Sequence, residues 1–132
     1  MLLGVFERLA AQLRAALFKP LRGPGTPKNR INAMVRTLDA FYVHGQESCL
    51  LAQVVLGSTR TRFRAPLRAI FAEWMDAIAG VVVDAGHSKT VARHRAEDAV
   101  LRIEGALVLT GGMTDLQIFS RMLKQLPTAL LG

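Results

Sequence analysis

A single cysteine, Cys49, rules out any intrachain disulfide, and one tryptophan and one tyrosine leave six phenylalanines as almost the whole aromatic content. Stability without disulfides fits a reducing compartment, and the lone thiol reads as packing rather than chemistry. Long apolar runs are missing too. Hydrophobic residues make up 51% of the chain, yet the longest wholly apolar stretches, such as Ile78–Val83 and Ala106–Leu109, fall far short of the ~20 residues of a membrane-spanning helix. The N-terminal MLLGVFERLAAQLR has no basic residue before its apolar stretch, carries Glu7 within it, and lacks a small-residue cleavage signal. No secretion signal is therefore expected, no membrane association either, and the location is read as cytoplasmic.

Patterns that carry chemistry are equally scarce. The sequence contains no HExxH, no CxxC and no glycine-rich phosphate loop. His44 and Cys49 lie on either side of Gly45, and His87 and His94 straddle a helix start. Neither arrangement assembles a ligand set for a metal, or a nucleophile with a base and an orienting group. No metal, no cofactor and no catalytic residue is expected, and the chain is read as a non-enzyme.

Seventeen Lys and Arg against ten Asp and Glu give a net charge of +7, a balance that favours acidic partners such as nucleic acid. The basic residues, however, are spread over the whole length. The tightest group, Arg60, Arg62, Arg64 and Arg68, has none of the interleaved aromatics on which bases stack. Scattered charge of this kind is a solvated surface.

What is present is helical periodicity. The 132 residues suit one domain with a core of its own, spanning 1–132. Leu2, Val5, Phe6, Leu9, Leu13 and Leu17 share one helix face, and the helix is expected to run over 1–19. Pro20, Gly23, Pro24, Gly25 and Pro27 then predict a loop over 20–27. The remaining 28–132 reads as the main bundle. Thr26 and Pro27 open a helix carrying Ile31, Met34, Val35, Leu38, Phe41 and Tyr42, stopped at Gly45. Cys49–Leu56 is apolar except for Gln53 and reads as a short buried helix. The clearest pattern runs from Phe63 through Leu67, Ile70, Phe71, Trp74 and Ile78 to Gly86. Ser88 caps a further helix ending at Gly111 and Gly112, and Thr114 with Gln117 matches a capping box for the last, which Pro127 is expected to kink or end. The expectation is all-α, with about six helices and no strand.

Two features point to binding. Gln53, on a helix apolar nearly all round, needs a hydrogen-bond partner, either a neighbouring backbone group or a ligand. Phe71 and Trp74 lie one turn apart with Phe41 and Tyr42 able to face them, the composition of a core or of a pocket between helices. Glu104, beside Gly105 in the apolar stretch IEGALVL, reads equally as an exposed charge, a partner of Arg102 across an interface, or a polar anchor in a pocket. An apolar cavity lined by Phe41, Gln53, Phe71, Trp74 and Ile103, with Glu104 as a weaker candidate, is the expectation. Val100, Leu107, Ile118 and Met122, with Leu109, Leu130 and Leu131, spread over more than one face of the last two helices, which marks a two-fold dimer interface.

Cys49-Leu50-Leu51-Ala52, then Phe71 with Trp74, then Ile103-Glu104-Gly105-Ala106-Leu107, then Leu126-Pro127 in a final helix, together resemble the C-terminal regulatory domain of TetR-type transcriptional regulators over about residues 30–130. The resemblance implies a bundle of that type, with the first helix connecting to a DNA-binding part. It further implies a homodimer through the last two helices and a small-molecule effector, apolar or amphipathic, that alters the DNA affinity of the full-length protein. The N-terminal helix-turn-helix is absent from this sequence, so DNA is expected to be bound only through a domain not in this chain, and the chain is read as shortened. Two alternatives stand beside this reading: a helical protein–protein interaction module without a pocket, and a small all-α enzyme using arginines against a carboxylated substrate.

Overall fold

A computed structural model describes residues 2–45 and 61–132. Cys49, Gln53 and the helix expected over 49–56 lie outside the described residues. Among those described there are only helices: α1 (Leu2–Leu13), a π-turn (Arg14–Phe18), α2 (Lys19–Arg22), α3 (Pro27–Phe41), a 3₁₀ turn (Val43–Gly45), α4 (Arg64–Asp84), α5 (Lys89–Met113) and α6 (Leu116–Leu131). The first three elements run on without a break, so the described residues form five helical rods. The expected all-α architecture is the one observed.

The first rod differs from expectation at Pro20, which does not end the helix. Proline lacks an N–H, and in an α-helix its ring crowds the carbonyl four residues back, here Ala16. The chain accommodates this by widening the preceding turn: the Lys19 N–H donates to the Arg14 carbonyl, five residues back. With the turn opened, Pro20 sits in the first turn of α2, where a missing donor costs little. The rod then continues to Arg22, and the link to α3 shrinks to four residues, Gly23–Thr26.

Thr26 and Ser88 cap α3 and α5 as their side chains predict, accepting from Asn29 N–H and Val91 N–H at 3.2 Å each. The α5–α6 corner is different. The two glycines, each costing roughly 1 kcal/mol relative to alanine in a helix, do not stop α5, which runs through them to Met113. Thr114 ends it in the left-handed region, φ 55°, and the N–H groups of Thr114 and Asp115 both return to the Thr110 carbonyl. The cap of α6 is therefore Asp115, whose Oδ1 accepts from Gln117 N–H at 3.0 Å. Pro127 lies inside α6, which continues to Leu131.

The core forms where α4, α5 and α6 pack side by side, with α3 closing against α6 and α2 against α4. Trp74, Ile78, Val81 and Val82 of α4 meet Ala92, Ala96, Ala99 and Ile103 of α5, and Phe119, Leu126 and Leu130 complete the layer from α6. The C-terminal end of α6 is held by α5: Arg95 Nη1 donates to the Leu130 carbonyl at 2.9 Å and to His87 Nε2 at 3.2 Å. No helix among the described residues is long and apolar enough to cross a membrane.

Candidate functional site

The expected pocket residues come from three helices and do not all converge. Phe41, at the end of α3, is half-buried and lies on an open groove with Ala33, Arg36, Thr37 and Ala40, a space of about 510 Å³. The small residues Ala33, Thr37 and Ala40 follow helical spacing on the side of α3 away from Ile31, Met34 and Leu38, and their size is what leaves the groove. Such a stripe was readable in the sequence, as small residues opposite an apolar face. Phe71 is half-buried on α4 and Ile103 is fully enclosed on α5. Glu104 is half-buried, both carboxylate oxygens are shielded from solvent, and the side chain is engaged.

Trp74 is the most enclosed large side chain of the set, 1% exposed. Its ring stacks on Phe18 of the π-turn, with centroids 6.3 Å apart and planes at 23°. The aromatic contact thus comes from the first rod. Phe41 instead meets Tyr42 edge-on at 5.1 Å, and Tyr42 meets Phe119 at 6.4 Å. The Trp74 Nε1–H is buried with no hydrogen-bond partner, which costs roughly 1–3 kcal/mol unless something accepts from it.

The first rod is tied to the body around this point. Arg14 forks onto Glu73, with Nε 3.1 Å and Nη2 2.9 Å from Oε2, and that bond raises the guanidinium pKa further above its ordinary value. Arg22 Nη2 reaches the Glu73 carbonyl at 3.4 Å. Arg30, its side chain 11% exposed, donates to the Leu21 carbonyl at 3.2 Å and to Asp84 Oδ2 at 2.9 Å. One guanidinium thereby joins the end of α2, the start of α3 and the end of α4.

The last two helices present a second surface. Val100, Leu107 and Met122 point into the chain's own core and Ile118 is half-buried. The exposed apolar residues are their neighbours: Leu101 at 71%, Val108 and Leu109 at 54%, Met113 at 67%, and Leu116. Leu101, Gly105, Val108 and Gly112 recur at four, three and four residues, so they line one face of α5, and a Cβ at either glycine would meet nothing within 4 Å. A cleft nearby between α5 and α6, bounded by Arg95, Asp98 and Arg102, measures about 30 Å³, room for one water and too little for a carboxylated substrate. Among the described residues, no group of three or more His, Cys, Asp or Glu is placed to hold a metal ion.

Comparison with known proteins agrees with the helical order. Residues 27–125 match the family described as the C-terminal domain of LmrA/YxaF-like transcriptional regulators, of the TetR type. No curated protein and no solved structure matches the chain. The match takes in α3, α4, α5 and most of α6, the helices that build the core and carry both candidate surfaces, and the chain belongs to the family of LmrA/YxaF-like TetR-type C-terminal regulatory domains.

Proposed function

We propose that this domain senses a small apolar or amphipathic effector and dimerises through α5 and α6, so that effector binding alters the DNA affinity of a full-length regulator. Family membership supports the regulatory role. The observation that carries the dimer is the exposed stripe Leu101–Gly105–Val108–Gly112. A helix already buried on one side by Ala96, Ala99, Ile103 and Leu107 has no reason to be apolar on the other unless a second surface covers it. The two glycines admit close approach of a second copy, and an isologous contact brings each stripe against its own image.

Effector binding is supported by the groove at Phe41 and by the unsatisfied Trp74 N–H. An effector with one acceptor atom on an apolar body satisfies that donor, and its binding shifts the domain between two states of different DNA affinity. DNA itself is read by another part of a full-length protein, and the protein acts in the cytoplasm. The test has two arms. Light scattering at micromolar concentration should give twice the chain mass; a monomer would refute the dimer. A thermal-shift screen of aromatic and aliphatic carbonyl compounds should yield binders whose affinity falls about tenfold in Trp74→Phe, the loss of one neutral hydrogen bond. A dimer with no binder would favour the interaction module, a reading that the close packing of Trp74 on Phe18 independently favours.

A further inference from the structure

We propose that the π-turn Arg14–Phe18 is a rotary joint, about which α1 turns on its own axis relative to the rest of the chain. A π-turn carries one residue more than the α-turn it replaces, so its relaxation to α-helical bonding rotates everything on one side by one residue, about 100° with a 1.5 Å rise. The joint lies before residue 27, where the family match begins, and it is built from this chain's own residues.

Three observations place it there. First, the turn separates two differently held segments. On its C-terminal side Leu17, Phe18 and Leu21 are buried, and Arg14, Arg22 and Arg30 tie the rod to Glu73, Leu21 and Asp84. On its N-terminal side, the ring contact between α1 and the described body is Phe6 on Phe63, centroids 5.5 Å apart. Second, Pro20 makes the wide turn and the regular one close competitors: the α form regains the normal hydrogen-bond ladder but drives the proline ring against the Ala16 carbonyl. Third, the residues of the turn are themselves latched. Arg14 forks onto Glu73 and Phe18 stacks on Trp74, adjacent residues of α4, so both contacts hold the wide form. Rotation of α1 withdraws Phe6 from Phe63 and turns the face bearing Ala10 and Leu13 away from its present direction. Two arrangements that exchange discrete contacts make a switch rather than a flexible tether.

The joint belongs to the chain whether or not an effector binds, and its test does not depend on one. Nitroxide labels at Glu7→Cys and Asp76→Cys, in a Cys49→Ser background and diluted with unlabelled chains, report the distance from α1 to α4 within one chain by pulsed electron resonance. A control pair at Lys19→Cys and Asp76→Cys reports the anchored side. In Pro20→Ala combined with Glu73→Ala, the Glu7 pair should gain a second population displaced by about 8 Å, as a 100° turn of a helix of 10–12 Å diameter requires. The Lys19 pair should stay where it was. An unchanged Glu7 distance, or an equal displacement of both pairs, overturns the proposal. Should that variant fail to fold, amide exchange on the unsubstituted chain decides: residues Arg14–Lys19 should exchange at least tenfold faster than Ile70–Ala77 of α4, and equal protection overturns the joint.

Discussion

Gly45 closes the 3₁₀ turn directly against the ring of Phe119, so that a Cβ built on it would stand 2.9 Å from the Phe119 Cβ and 3.0 Å from its Cγ. Its backbone lies at φ +91°, a conformation that side chains strain to adopt. The close approach positions α3, and with it Phe41, against α6.

Gly45→Ala should therefore lower stability by about 2–4 kcal/mol, the sum of the backbone penalty and overpacking against Phe119. Urea unfolding at fixed protein concentration measures it. Gly105→Ala, at an open position on α5, should leave the unfolding of an isolated chain unchanged or improve it by up to about 1 kcal/mol.

The same pair of neighbours on α5 separates folding from association. Val108→Glu places a charge on the exposed stripe and should raise the dimer Kd by on the order of a hundredfold with helicity intact. Leu107→Glu, one residue away and 3% exposed, buries an unpaired carboxylate and should abolish cooperative folding. Circular dichroism with light scattering distinguishes the two; dissociation without unfolding at Leu107 would contradict the burial described.

Arg30 and Arg93 both make ion pairs, but only one should matter for stability. Arg30→Ala strands the Leu21 carbonyl and the Asp84 carboxylate and should cost about 2–3 kcal/mol. Arg93 pairs with Asp76 and Glu97 in largely exposed positions, so Arg93→Ala should change stability by less than about 0.5 kcal/mol. Denaturation of the two variants in parallel tests the difference.

Trp74→Phe removes a buried N–H that has no acceptor along with part of the ring volume, and the two effects oppose each other. The variant should lose less than about 2 kcal/mol, whereas Trp74→Ala, which leaves a cavity and no partner for Phe18, should lose about 3–5 kcal/mol. A large loss in Trp74→Phe would show that the N–H is satisfied in solution.

Local chemistry was legible wherever one side chain decides the outcome. Thr26 and Ser88 cap as their hydroxyls dictate, and the apolar stripe of α4 faces inward through Leu67, Ile70, Trp74 and Ile78. It misled where two neighbours share the decision. Pro20 reads as a stop because a regular helix cannot hold it, and only a widened turn upstream lets the rod pass. Gly111 and Gly112 read as a corner, yet the turn is made by Thr114, a residue with no special liking for positive φ. On α5 the apolar residues run all round, so periodicity marked the helix as covered on two sides without telling Val100 from Leu101 or Leu107 from Val108. Of the pocket, the sequence named residue types suited to enclosing a ligand; that Trp74 would meet Phe18 depends on the path of the first rod, which no local pattern encodes.

The side chains of α5 toward its own core include Ala92, Ala96, Ala99 and Ala106, and toward the outside Gly105 and Gly112. Few helices are so slender on both flanks at once. In the proposed dimer this helix is a thin partition between the interior of one protomer and the surface of its twin, with side-chain bulk trimmed on either face to permit interaxial distances near the low end of the 8–10 Å range. A change in how α4 seats on α5 has no soft layer in which to dissipate before it reaches the other subunit.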